Sequence, residues 1–141
     1  MNLSRDEIQK SFDQWLIAWN DHNIDGVMHF MHDNIVFENW NGRLISGKKN
    51  LETAWKAWFL HHGNFKFIKE DFFIDAGNEK MVFTWILEWP SLEKKFAGKH
   101  EKRKGVDILY LKEGKIIRKN TYSKTMIEID STPVHLYAIG Q

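Results

Sequence analysis

The second half of the chain reads as a succession of strands. Four segments, residues 65–75, 80–89, 100–111 and 115–125, have the composition and spacing of strands and are separated by turn signals. One of these signals, Glu113-Gly114, leaves room for only a tight hairpin. Long consecutive strands joined by short connections predict an antiparallel meander.

The first half of the chain predicts three helices. Ser4 followed by Glu7 is typical of a capping box, and apolar residues then recur at helical spacing. A short second helix begins after Asn23, a short strand covers residues 35–38, and a third helix follows Gly47. Helices followed by strands predict an α+β domain in which the helices pack on one face of the sheet.

Composition bounds the domain count and excludes several classes of function. A chain of 141 residues, 43% hydrophobic and 28% charged, predicts one soluble domain spanning residues 1–141. Its net charge of +1 offers no basic face, so we expect no nucleic-acid partner. There is no cysteine, no signal-peptide core at the N-terminus and no membrane-length apolar run. We therefore expect a cytoplasmic protein without a membrane segment.

A carboxylate interrupts the most apolar strand, because Asp107 lies within the sequence Gly-Val-Asp-Ile-Leu-Tyr-Leu of residues 105–111. Burying a carboxylate costs free energy unless another group pairs with it or protonates it. One interpretation is structural: Asp107 pairs with Arg103, four residues earlier on the same strand face, or with a backbone amide. The other is chemical: Asp107 is an acid or a base in a pocket. Both interpretations stay open on these residues alone.

The order of the elements resembles the nuclear transport factor 2-like fold and, within it, the SnoaL-like branch. The motifs that carry the resemblance are residues 19–26 (WNDHNIDG), 30–38 (FMHDNIVFE), 103–109 (RKGVDIL) and 113–116 (EGKI). The resemblance implies a cystatin-like cone, with three N-terminal helices packed on a curved antiparallel sheet that encloses a pocket. It also implies a homodimer.

Ketosteroid isomerase, a member of that fold, supplies the residue roles that the resemblance implies. Alignment with it brings Glu38 onto the catalytic base and Asp107 onto the protonated aspartic acid of the oxyanion hole. Its tyrosine donor falls at Trp15, which offers an indole N–H instead of a hydroxyl. Arg103 then either orients Asp107, as in epoxide-hydrolysing relatives, or forms an ordinary ion pair with it. Tyr122 either donates to a bound oxygen or faces a dimer partner.

Seven tryptophans and ten phenylalanines fill a core or line an apolar pocket. We expect pocket walls at Trp15, Trp55 and Trp85, which helix and strand parity allow to face the concave side of the sheet. Phe59 lies on the same apolar side of the third helix as Trp55 and is a further candidate. Trp40, on the loop after the first strand, is expected to gate the entrance.

The resemblance implies a small cofactor-free enzyme, an isomerase, cyclase or lyase that abstracts a proton from an apolar, carbonyl-bearing small molecule. Glu38 would be the base, and Asp107 the acid or oxyanion donor. The alternatives are a non-catalytic ligand-binding module and a protein–protein adaptor. His29, His32 and Asp33 have a spacing that metal sites also use, but such a bare pattern is common by chance, and we expect no metal.

Overall fold

The structure, a computed structural model, describes residues 2–136. Helices and strands follow the expected order, helices first. In chain order they are α1 (Arg5–Asn20), α2 (Ile24–His29), β1 (Met31–Glu38), β2 (Leu44–Ser46), α3 (Lys48–His61), β3 (Lys66–Asp75), β4 (Lys80–Pro90), β5 (His100–Lys112), β6 (Lys115–Ser123), β7 (Met126–Ile129) and β8 (Thr132–His135). The predicted α+β class and the four long strands β3–β6 are confirmed.

One strongly curled sheet contains the eight strands of the described region. Six of them are neighbours in the order β2-β1-β6-β5-β4-β3, and β7 and β8 lie outside this path. Strand β1 runs parallel to β6, whereas the other pairs are antiparallel. The short strand β2 and the hairpin β7–β8, which pairs with β5, were not anticipated from the sequence. No helix among residues 2–136 is long and apolar enough to cross a membrane.

Local sequence explains how α1 is placed against the sheet. The Ser4 hydroxyl accepts from the Glu7 backbone, and the Glu7 carboxylate accepts from the Ser4 backbone at 2.9 Å. The hydrogen bond from the Ser4 backbone holds the pKa of Glu7 below its ordinary value. At the other end, the Asn20 side chain donates to and accepts from the Phe67 backbone at 2.9 and 2.8 Å, which fastens α1 to β3.

Burial alternates along β4 and β5, as expected where only one face of a sheet is covered. In β4 every second residue from Met81 to Trp89 is buried. These residues pack against the buried face of α1, which includes Phe12 and Trp15. The core is thus a layer of large, mostly aromatic side chains between the helices and the concave face of the sheet, and this layer surrounds the site described next.

Candidate functional site

A cavity of about 170 Å³ lies between the helices and the sheet. An apolar cavity of about 150 Å³ holds a benzene molecule, so this one has room for a single-ring compound. Its exposed end is the β1–β2 loop, with Asn39, Trp40, Asn41 and Arg43. Its walls are mainly apolar, and they consist of Trp19, Phe37, Ile45, Ala54, Trp55, Trp58, Phe67 and Trp85.

The buried end of the cavity carries an ion pair between Asp107 and Lys119. Lys119 Nζ lies 2.9 Å from Asp107 Oδ2 and also donates to Thr121 Oγ1 at 2.7 Å. The other carboxylate oxygen of Asp107 accepts the Trp85 indole N–H at 3.2 Å. Asp107 is 3% exposed and Lys119 is 7% exposed. A pair this deeply buried requires several partners for its charges, and both oxygens of Asp107 have one.

Gly105 explains how Trp85 reaches Asp107. The two residues are direct partners across β4 and β5. A Cβ atom added at Gly105 would lie 2.3 Å from Cζ2 of the Trp85 ring, so only glycine lets the indole lie across β5 at this point. The ring crosses the backbone there, and its N–H donates to the carboxylate two residues further along the strand.

An irregularity in the β5–β6 pairing brings Lys119 to the same face. The hairpin turn Glu113-Gly114 pairs Leu111 with Ile116, and the register then shifts so that Leu109 pairs with Lys119. Without the extra residue in β6, Lys119 would pair with residue 108 and would point to the opposite face of the sheet. The bulge is therefore what creates the ion pair with Asp107.

Lys119 keeps one donor for the cavity. An ammonium group has three N–H donors, and among the described residues Asp107 and Thr121 accept two of them. Aromatic rings surround the remaining space: the ammonium lies 4.8 Å from the ring centroid of Phe37 and 5.9 Å from that of Trp55. Such rings stabilise a cation but accept no conventional hydrogen bond. The third N–H is thus available to a bound acceptor.

Arg103 does not pair with Asp107, so that expected ion pair is wrong. Its Nε donates to Glu101 at 2.8 Å, and its Nη2 donates to Glu93 at 2.9 Å. Glu101 is fully buried and also accepts from the Trp89 indole at 2.6 Å. The guanidinium lies 4.8 Å from the ring centroid of Trp40. Arg103 therefore packs against Trp40 of the loop at the cavity mouth and does not itself line the cavity.

Glu38 and Asp107 are not brought together. In the parallel pairing of β1 with β6, Phe37 is the partner of Lys119, while Glu38 is the partner of Asn120. Phe37 therefore shares the cavity face with Lys119 and Asp107, and strand alternation turns Glu38 to the opposite face. Glu38 is accordingly not among the residues that line the cavity. This geometry argues against a base at Glu38 that acts on the same ligand as Asp107.

The remaining expected pocket residues divide into three groups. The expected walls Trp55 and Trp85 and the expected gate Trp40 line the cavity. Trp15 lines a smaller void behind it, and Phe59 packs against Trp19 at a centroid distance of 5.2 Å without lining either space. Tyr122 is 48% exposed and lies on the face away from the cavity. Cavity residues that sequence reasoning did not select are Trp19, Phe37, Asn39, Asn41, Arg43, Ile45, Ala54, Trp58, Phe67, Lys119 and Thr121.

His32, the histidine of β1, has a carboxylate partner. His32 pairs with Glu113 at 3.2 Å, and this hydrogen bond holds the pKa of the Glu113 carboxyl below its ordinary value. Across residues 2–136, no group of three or more His, Cys, Asp or Glu side chains is arranged to hold a metal ion.

Comparison with known proteins identifies the family. A SnoaL-like domain matches residues 12–119, so the chain belongs to the SnoaL-like family. No curated protein sequence matches the chain significantly.

Solved structures similar to this chain share its fold at low identity. A SnoaL-like polyketide cyclase from Jannaschia sp. CCS1 is 13% identical, with 88% of this chain and 91% of that chain covered and a TM-score of 0.73. An epoxide hydrolase from Mycobacterium tuberculosis, of the LEH-like kind, is 15% identical, with 84% and 83% covered and a TM-score of 0.70. TerC, crystallised with polyporic acid, is also 15% identical, with 84% and 92% covered and a TM-score of 0.70.

Proposed function

We propose that this protein binds a small, mostly apolar carbonyl compound in the cavity and catalyses proton transfer beside the carbonyl group without a cofactor. The observation that carries the proposal is the Asp107–Lys119 pair at the buried end of an aromatic cavity. Asp107 is the one carboxylate among the described residues that line this cavity, and Lys119 has a donor to spare. The cavity volume sets the size of the substrate at about one ring.

The geometry supports a division of roles between the two residues. The carbonyl oxygen accepts the third N–H of Lys119, while Asp107 removes a proton from the neighbouring carbon. The electrons of that C–H bond form a carbon–carbon double bond, and the carbonyl oxygen becomes an enolate that the ammonium stabilises. Return of the proton to a different carbon isomerises the substrate. Attack of the enolate on a second carbonyl closes a ring, and expulsion of a leaving group gives a lyase.

Structures of similar fold support a small-molecule ligand. TerC was crystallised with polyporic acid, and a designed protein of this fold binds 17-OHP. These proteins are at most 15% identical to this chain, so they support the use of the cavity and not the choice of ligand. An adaptor would have a filled or collapsed cavity, and the open cavity of about 170 Å³ argues against that alternative.

A non-catalytic ligand-binding module is the second candidate. It is favoured by the fact that both oxygens of Asp107 already accept hydrogen bonds, from Trp85 and Lys119. A binding module needs only the apolar walls and the Lys119 donor, whereas catalysis also needs a lone pair of Asp107 to reach a carbon-bound proton. The experiment below separates the two candidates.

Exchange of acetophenone methyl protons with D₂O tests the proposed function. Acetophenone has one ring, one carbonyl and three protons on the adjacent carbon, and proton NMR follows their loss. We expect the protein to accelerate the exchange, and Asp107→Asn to reduce that acceleration by about 10²–10⁴-fold. Glu38→Gln removes a carboxylate on the opposite sheet face and is expected to change the rate less than about threefold.

Two results would count against the proposed function as stated. Loss of exchange in Glu38→Gln, with exchange retained in Asp107→Asn, would overturn the assignment of the base. Binding of acetophenone without any acceleration would favour the ligand-binding module. Because a substitution at Asp107 also affects a buried ion pair, thermal unfolding of each variant must first show that it is folded at the assay temperature.

The homodimer and the cytoplasmic location stay predictions. The expected dimer buries the convex face of the sheet, and Tyr122, which is 48% exposed, lies on that face. Sedimentation of a monomer at micromolar concentration would contradict the dimer.

A further inference from the structure

A second, smaller void lies behind the cavity. Its volume is about 30 Å³, and the residues that line it are Trp15, Leu16, Trp19, Phe67, Phe83, Asp107 and Lys119. Four of these residues, Trp19, Phe67, Asp107 and Lys119, also line the large cavity, so the two spaces adjoin. The void is large enough for one oxygen atom with its hydrogens, since a water molecule needs about 10–15 Å³ on this measure, and too small for a ring.

Two of the tryptophans that line this void have an indole N–H without an acceptor. Among the described residues, Trp15 Nε1 and Trp19 Nε1 are buried and without a hydrogen-bond partner. Trp15 is 1% exposed and Trp19 is 6% exposed, so bulk water does not satisfy these donors. Buried polar groups in native proteins nearly always have a partner, and two exceptions beside one void call for an explanation.

Two other buried tryptophans, Trp85 and Trp89, differ from Trp15 and Trp19 in that their indole N–H groups have acceptors. Trp85 donates to Asp107 at 3.2 Å, and Trp89 donates to Glu101 at 2.6 Å. These two core indoles are thus paired with carboxylates, whereas those of Trp15 and Trp19 are not. Lys119, which also lines the void, retains its third N–H. The void is therefore lined by residues from α1 and from β6 that each have an N–H donor without an acceptor among the described residues.

We propose that the void is a binding site for a single oxygen atom that accepts hydrogen bonds from Trp15, Trp19 and Lys119. In the ligand complex this atom is the carbonyl oxygen, a point that rests on the proposed function; without ligand the same donors bind a water molecule. The ring of the ligand stays in the larger cavity, because it does not fit the void. The site thereby selects compounds whose oxygen projects from the end of an apolar ring.

Two matched probes test the selection. Acetophenone carries C=O where α-methylstyrene carries C=CH₂, and the two molecules have nearly the same shape. We expect acetophenone to bind about tenfold more tightly, as expected for one or two net hydrogen bonds. Replacing Trp15 or Trp19 by benzothienylalanine, which has sulfur in place of the N–H and keeps the ring shape, should reduce this preference severalfold. The same replacement at Trp89, whose N–H is bonded to Glu101, should leave the preference unchanged.

Indole NMR signals of the whole chain identify which oxygen occupies the site. In the free protein, we expect magnetisation transfer from water to the indole protons of Trp15 and Trp19 and not to that of Trp89. Addition of acetophenone should abolish that transfer and shift both signals downfield. Retention of the water signals with acetophenone bound would overturn the placement of the ligand's carbonyl oxygen in the void.

Two further outcomes would overturn the proposal. One is an absence of both water transfer and ligand-dependent shifts at Trp15 and Trp19, which would mean that the donors face a dry core. The other is an undiminished preference for acetophenone after both indole replacements. Failure of methyl proton exchange would refute the proposed reaction without affecting the water measurement, so the two failures are distinguishable.

Discussion

Replacement of Lys119 by methionine is the most direct test of the buried ion pair. Methionine keeps much of the length and the apolar stem of lysine but removes the ammonium. Asp107, at 3% exposure, would then be left with one hydrogen bond, the long one of 3.2 Å from Trp85. A buried carboxylate without a cation is strongly unfavourable, because it has lost its solvation and gains no compensating charge.

The expected magnitude follows from the burial of both partners. Removal of one member of a buried pair costs about 3–5 kcal/mol of unfolding free energy. The Asp107–Lys119 contact of 2.9 Å, with side chains only 4% and 8% exposed, belongs to this class. For a domain of this size, such a loss lowers the melting temperature by about 10–17 °C. Urea unfolding measures the free energy, and differential scanning calorimetry measures the temperature.

A matched control uses the same substitution on the surface. Lys56 pairs with Glu52 at 3.5 Å one helical turn away, and its side chain is 55% exposed. Lys56→Met should cost less than about 0.5 kcal/mol, since solvent screens such a pair. The double variant Asp107→Leu/Lys119→Met removes both charges, and we expect it to be more stable than Lys119→Met alone.

Two results would refute the reasoning. Equal losses for Lys119→Met and Lys56→Met would show that the Asp107 carboxylate is not confined as the geometry indicates. The stability loss of the double variant is compared with the losses of Asp107→Leu and Lys119→Met measured separately. If it equals the sum of those two losses, the two residues stabilise the fold independently of each other.

Two further predictions concern the sheet and α3. Gly105→Ala should lower the free energy of unfolding by more than about 2 kcal/mol, measured by urea unfolding, because the added Cβ would lie 2.3 Å from the Trp85 ring. The control Gly77→Ala should be nearly neutral, since its Cβ would have no neighbour closer than 3.8 Å. Equal losses for the two variants would contradict this prediction. Burial lowers the pKa of His62, so the unfolded chain takes up the proton first and stability falls as the pH drops below about 6.5. His62→Phe keeps a ring against Trp58 and should flatten this part of the stability curve; an unchanged slope would contradict the assignment.

The fold was predictable because its signals are local. Strand composition and the turn Glu113-Gly114 defined β3–β6 to within two residues, since each signal depends on neighbours in sequence. The capping pair Ser4 and Glu7 likewise marked the start of α1. The hairpin β7–β8 was missed because its four-residue strands are short and one of them contains Pro133, a residue that disfavours a strand assignment.

The candidate site was less predictable because it depends on register. Asp107 was found from its unusual neighbours, but its partner Lys119 depends on one extra residue in β6. Counting from the hairpin without the bulge puts Lys119 on the wrong face, and no local pattern reveals the bulge. Arg103 was the expected partner since it lies on the same strand face. That reasoning omitted Glu101, which is nearer in sequence and is itself buried.

The indole donors give the abundance of tryptophan a physical reason. On its concave face, β5 presents two buried carboxylates, Glu101 and Asp107, a pattern that an apolar core does not tolerate by itself. The neighbouring strand β4 presents Trp89 and Trp85 on the same face, and each indole N–H donates to one carboxylate. Phenylalanine in place of these two tryptophans would fill much of the same space, but each carboxylate would lose one hydrogen-bond donor. These two tryptophans therefore fill the core and solvate its charges at the same time, so that an apolar cavity can keep a charged end.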